Sequence, residues 1–141
     1  MALYFENLSV VPPDATVSCI AQHSRHDLLA VAFTLNGASG KICFYSGKGE
    51  LVSRLEGRAR KEADCVSCIK WHPSKLVLGV GWYSGVISSI SLQSEQGPLV
   101  DAPSANACIK LLEWSSEGSR LLATDTGGHA VVYKLDQKGA I

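Results

Sequence analysis

Hydrophobic and polar positions in this chain repeat one pattern three times. With Gln22, Trp71 and Trp114 aligned, Val17, Val66 and Ile109 stand five residues earlier, and Ile20, Ile69 and Leu112 stand two earlier. These apolar pairs predict the first strand of each unit. A short polar turn follows at 23–27, 72–75 and 115–119. A second strand of small and aliphatic residues comes next, at 28–32, 77–81 and 121–124. Gly40, Gly85 and Gly128 are expected to turn the chain into a third strand at 42–45, 86–90 and 130–133. A fourth strand is expected after Gly49, Gly97 and Gly139, which recur at steps of 48 and 42 residues (97 − 49 and 139 − 97). Loops are expected at 34–40, 56–64 and 101–107.

Nearly continuous apolar strands joined by short turns suit sheets that are covered on both faces. No helical periodicity of useful length interrupts them. Units of ~40–45 residues with four strands each are the signature of β-propeller blades, which cannot bury their faces alone. The expected fold is all-β: an incomplete propeller of about three four-stranded blades, at roughly 17–55, 66–101 and 108–141. The third blade lacks most of its outer strand, because the sequence stops two residues after Gly139. The segment is therefore expected to open a larger ring. Residues 1–7, alternating and aromatic, are a candidate outer strand for the closing blade.

Composition narrows the functions. Lys plus Arg and Asp plus Glu balance at 13 each, so no global charge is present to hold nucleic acid or an anionic membrane. Residues 76–94 carry no formal charge, but Gly79, Gly81, Gly85 and five serines make a membrane span a poor reading. The amino terminus has no basic and apolar signal-peptide pattern, and the five cysteines are an odd number that suggests no disulfide framework. Both features point to a cytosolic compartment.

Four groups of residues were candidates for chemistry. Cys65 and Cys68 have the CxxC spacing, but no second ligand pair is visible, and strand alternation is expected to turn the two thiols apart. The repeat register accounts for Cys19, Cys65, Cys68 and Cys108 as small strand residues, and Cys43 falls in a third strand. No metal and no cofactor are expected. His23 and His72 share one corner position with Ser115, His26 lies in a polar turn and His129 follows a glycine turn. No nucleophile or acid pair recurs with them, so no catalytic residue is assigned. The run from Gly79 to Gly85 faintly resembles a phosphate loop, but Val86 and Ile87 continue it as a strand where a helix is required. Arg54, Arg58, Arg60 and Lys61, interrupted by Glu56, Glu62 and Asp64, are expected to form a solvated loop between blades, with protein docking as the functional alternative.

The spacing and the Trp-(His/Ser)-(Pro/Ser) corner resemble the WD-repeat family. The terminal Trp-Asp of that family is replaced by Tyr45-Ser46, Ile90-Ser91 and Tyr133-Lys134, and only Asp64 fits its opening aspartate. The blades are therefore expected to depend more on apolar packing than on a buried polar network. Three stretches, 1–5, 71–82 and 135–139, are also similar to the start of one family of intraflagellar transport complex A subunits. That resemblance spans the chain but only the beginning of the much longer family members. It implies a non-enzymatic interaction scaffold of the IFT-A complex, in the cytoplasm and the cilium with its axoneme and basal body region. It also implies retrograde transport and cilium assembly as the process, with other complex A subunits and ciliary membrane-protein cargo as partners. A WD-repeat adaptor of a non-ciliary complex, such as a vesicle coat or a ubiquitin ligase, is the alternative. The protein-binding residues are not legible in the sequence, and the 141-residue form by itself is expected to be weakly active at most.

Overall fold

The computed structural model describes residues 14–37, 39–55, 64–93, 99–101 and 107–135. They form three antiparallel sheets in chain order. The first contains β1 (Ala15–Gln22), β2 (Leu28–Leu35), β3 (Ser39–Ser46) and β4 (Leu51–Leu55). The second contains β5 (Val66–Trp71), β6 (Val77–Trp82), β7 (Val86–Ser91) and β8 (Leu99–Asp101). The third contains β9 (Ile109–Trp114), β10 (Arg120–Asp125) and β11 (Ala130–Lys134). Within each sheet every strand pairs with its neighbours in sequence, and the described residues contain no helix. The all-β reading holds for these residues, with four described strands in each of the first two blades and three in the third.

The sheets stack as blades with β1, β5 and β9 side by side. The middle blade is covered on both faces, which explains why β6 is buried at every position. One of its faces packs Ile69, Trp71, Val80 and Trp82 against Ala30, Ala32, Ile42 and Phe44 of the first blade. Its other face packs Ile87 against Ile109, Leu112, Leu121 and Ala123 of the third. A separate cluster of Val31, Phe33, Cys43 and Tyr45 lies on the far face of the first blade.

A β-bulge recurs at one repeat position. It falls between Val17 and Cys19, between Val66 and Cys68, and between Ile109 and Leu111 opposite the Thr124/Asp125 shift. Residues three apart on a regular strand face opposite sides. The extra residue cancels that alternation. Val66 and Ile69 consequently share one core, as do Ile109 and Leu112. The equivalent pair in the first blade, Val17 and Ile20, faces away from the second blade and is 48% and 64% exposed.

Two turn expectations need correction. Residues 34, 35, 39 and 40 belong to a hairpin, in which Thr34 pairs with Gly40 and Leu35 with Ser39. The left-handed backbone needed at its tip is taken by Asn36 (φ 50°) and Gly37 (φ 69°). Gly85 and Gly128 do turn at the repeat position, with φ of 87° and 85°. Gly40 instead lies in β3, where its N–H donates to the Asp64 carbonyl at 2.8 Å. A Cβ there would stand 3.0 Å from that carbonyl oxygen and 3.1 Å from the Trp82 ring, so this glycine permits close approach of the next blade. The candidate strand at 1–7, the turn glycines Gly97 and Gly139, and most of the basic loop lie outside the described residues.

On the third blade, Leu111, Leu122 and Val132 are exposed together on the face turned away from the second. Clustered exposed apolar side chains favour association. The 141-residue chain is expected to self-associate in size-exclusion chromatography with light scattering, and a monodisperse monomer would contradict this.

Candidate functional site

The side chains that recur at equivalent places converge where one blade meets the next. His72 lies in the turn between β5 and β6 and is 2% exposed. Its Nδ1 accepts the backbone N–H groups of Ser74 (3.1 Å) and Lys75 (2.9 Å). Those two donors leave Nε2 to carry the ring proton, which it donates to the Gly118 carbonyl of the third blade at 3.1 Å. His23 repeats this one junction earlier. Its Nδ1 accepts from the N–H groups of Arg25 (3.0 Å) and His26 (3.2 Å), and its Nε2 donates to the Lys75 carbonyl (3.1 Å). Lys75 and Gly118 occupy the same place in their respective turns.

The tryptophans answer in the opposite direction. Trp71 donates its indole N–H to the Ala21 carbonyl of the first blade at 2.9 Å, and Trp114 donates to the Lys70 carbonyl of the second at 3.0 Å. Each junction therefore has a histidine reaching forward and a tryptophan reaching back, both to backbone carbonyls. The rings also touch: His23 stands 5.2 Å from Trp71, and His72 stands 5.0 Å from Trp114. Ser115 holds the third corner, where it accepts the Arg120 N–H at 3.1 Å. Gly118 must be glycine, because its φ is +73° and a Cβ would overlap the His72 ring.

Polar bonds inside the blades add to this. Buried Asp64 accepts the N–H groups of Cys65 (2.9 Å) and Ser84 (3.2 Å), and the Ser84 hydroxyl donates to its other oxygen. Trp82 donates to the Ser88 hydroxyl at 3.0 Å. In the third blade, buried Asp125 accepts the His129 N–H at 3.0 Å. Among the described residues no buried side-chain nitrogen or oxygen lacks a partner. The expected dependence on apolar packing is thus incomplete: polar bonds also join the blades, and those of the corner His and Trp side chains run to backbone carbonyls, which carry no residue-type signature.

These corners frame an open cleft of about 510 Å³, with Gln22, Ser24, Trp71, Pro73, Trp114 and Ser116 in its wall. Lys70 and Glu113 form a half-exposed ion pair of 3.0 Å beside it. The lining mixes aromatic, aliphatic and polar groups, a surface suited to contact with a partner chain.

The other sequence candidates disperse. His26 and His129 are exposed; the first lies against His23 and the second beside Asp125 at 3.3 Å. Burial pushes the Cys68 thiol up to about 11, and burial also raises that of Cys19, so neither favours the thiolate. The bulge at Ser67 invalidates the alternation argument for Cys65 and Cys68. Among the described residues no three His, Cys, Asp or Glu side chains meet as a metal cluster. Gly79 and Gly81 lie in β6 against the third blade, and Gly85 leads into β7, so this stretch packs blades together and has no phosphate-binding helix. Asp64 belongs to the second blade through Ser84, while Arg58, Arg60, Lys61, Glu56 and Glu62 lie outside the described residues.

Antiparallel meanders of up to four described strands, following one another in chain order and stacked through their inner strands, define the β-propeller class of fold. The sequence profile of the IFT140 first beta-propeller matches residues 2–141, and the chain belongs to that family. A chain in the crystal structure of the mitotic checkpoint complex has a similar fold, with a TM-score of 0.72 and 18% identity over 88% of this chain. This chain spans 35% of that one, and at such identity the likeness concerns the fold alone.

Proposed function

We propose that this chain is a non-catalytic protein-interaction scaffold, the N-terminal propeller segment of an intraflagellar transport complex A subunit. In this reading it acts in retrograde transport and cilium assembly, in the cytoplasm and the cilium with its axoneme and basal body region. Its partners are other complex A subunits and ciliary membrane proteins carried as cargo. The observation that carries this is the match of residues 2–141 to the IFT140 first beta-propeller. The fold alone would not support it, because propellers serve many roles. The physics is compatible: a neutral chain, blades locked by reciprocal bonds, and a cleft framed by corner turns suit docking on a rigid scaffold.

Cells lacking the full-length gene product are expected to have short or bulged cilia with trapped transport particles. Normal ciliary length and normal tip-to-base transport in such cells would reject the proposal.

A further inference from the structure

Each of the two blade junctions contains an imidazole whose two nitrogens have opposite duties. At His72, Nδ1 must accept from Ser74 and Lys75 while Nε2 must donate to Gly118. Only the neutral ring protonated at Nε2 satisfies all three bonds. We propose that the His72 corner is a pH-operated fastener between the second and third blades, closed when the ring is neutral and opened by protonation at Nδ1. His23 has the same bond pattern at the preceding junction.

The opposing effects can be weighed. Protonation turns Nδ1 from an acceptor into a donor facing two N–H groups, so two hydrogen bonds become repulsive contacts. It also places a charge on a ring that is 2% exposed. Against this, an imidazolium would donate more strongly to the Gly118 carbonyl. The balance falls against the charge. Burial pushes the His72 pKa down, the Gly118 carbonyl opposes that, and the electrostatic influence of the Lys75 ammonium and the neighbouring His23 ring adds to it. The surrounding ionisable groups offer little compensation. The ring's own turn carries Lys75, and the first blade presents His23 with Arg25, His26 and Asp27 behind it. From the third blade, the turn that covers it carries exposed Glu117, β10 opens on exposed Arg120, and Glu113 is paired with Lys70.

The direction with pH follows from linkage. The folded-state pKa lies below the unfolded value of about 6.5, so the opened state binds the proton more readily. The junction is at full strength above about pH 6.5, weakens as pH falls below it, and stops weakening once the folded-state value has been passed. Within that window, opening should become easier by up to about tenfold per pH unit for one histidine. Trp71, Pro73, Trp114 and Ser116 stand beside this junction in the cleft wall, so the fastener would also set the shape of the cleft.

Hydrogen exchange on the 141-residue chain at pH 7.5 and 5.5, corrected for intrinsic rates, tests this directly. The Ser74 and Lys75 amides should lose protection at the lower pH. The Arg120 amide, held by the non-titrating Ser115 hydroxyl, should change far less. His72→Asn removes the titrating ring, and in that variant the protection of the turn should be lower at pH 7.5 and nearly independent of pH. Nitrogen NMR of the imidazole should show the Nε2–H tautomer at pH 7.5 and titration below 6.5, and this measurement stands even if the variant fails to fold. Unchanged protection in the parent chain, the same pH response in His72→Asn, or titration of His72 at or above 6.5 would each overturn the proposal.

Discussion

Replacing Trp71 with alanine is expected to destabilise the propeller by about 3–5 kcal/mol, the usual cost of removing a buried tryptophan. The side chain is 6% exposed and packs into the core shared by the first and second blades. Its ring lies against His23 and Phe44, and its N–H is bonded to the Ala21 carbonyl. Truncation would leave both a cavity and an unpaired carbonyl at the junction. A stability of 5–15 kcal/mol is typical of a native domain, so a loss of this size should unfold much of the population or remove the product from cells. Chemical denaturation of the purified propeller, with Trp71→Phe retaining most of the ring, is the direct measurement. Unchanged stability of Trp71→Ala, with only partner binding lost, would show that the residue serves recognition and not packing.

Gly81→Ala is expected to be the most damaging single-methyl addition among the glycines of β6. An added Cβ would stand 2.5 Å from Ile109 Cγ2 and 2.7 Å from Cys68 Sγ, so the third blade would have to move. Overpacking of this kind costs about 1–3 kcal/mol. Gly79→Ala on the same strand face is the control, because its Cβ would meet Lys70 O and Trp114 Cζ2 at 3.4 Å, an ordinary contact. Thermal unfolding of the two variants should separate them clearly, with Gly81→Ala melting lower. Equal melting temperatures would mean that the blades are less tightly apposed than this packing requires.

The two substitutions show why some features were legible in the sequence and others were not. Trp71 and Trp114 stood out because a large aromatic residue recurs at one register position. Gly79 and Gly81 were recognisable as small residues of a strand, and the strand that follows at Val86 and Ile87, where a helix is required, set aside a phosphate loop. The hairpin at 34–40 was missed because Gly40 was matched to the turn glycines, although the Asn36-Gly37 pair carried the stronger turn signal. The bulge was missed because one unpaired residue leaves no compositional trace; only the spacing of three between Val66 and Ile69 could have suggested it. His23 and His72 were correctly placed in turns, but their partners are carbonyls 52 and 46 residues away.

The chain by itself determined the repeat, the all-β class and the order of strands within each blade. These depend on local hydrophobic alternation and turn residues, which act between near neighbours in sequence. Its resemblance to a ciliary transport subunit was also legible, because runs of particular residues carry identity directly. The tertiary structure decided which face of each strand meets the next blade, which turns carry a fastener, and where polar groups find partners. Those outcomes depend on contacts between blades, and their acceptors are backbone carbonyls that every residue possesses. The histidine corners illustrate the difference: His72 and Ser115 share one register position, and the reach of His72 to the Gly118 carbonyl becomes visible only when the third blade is set against the second.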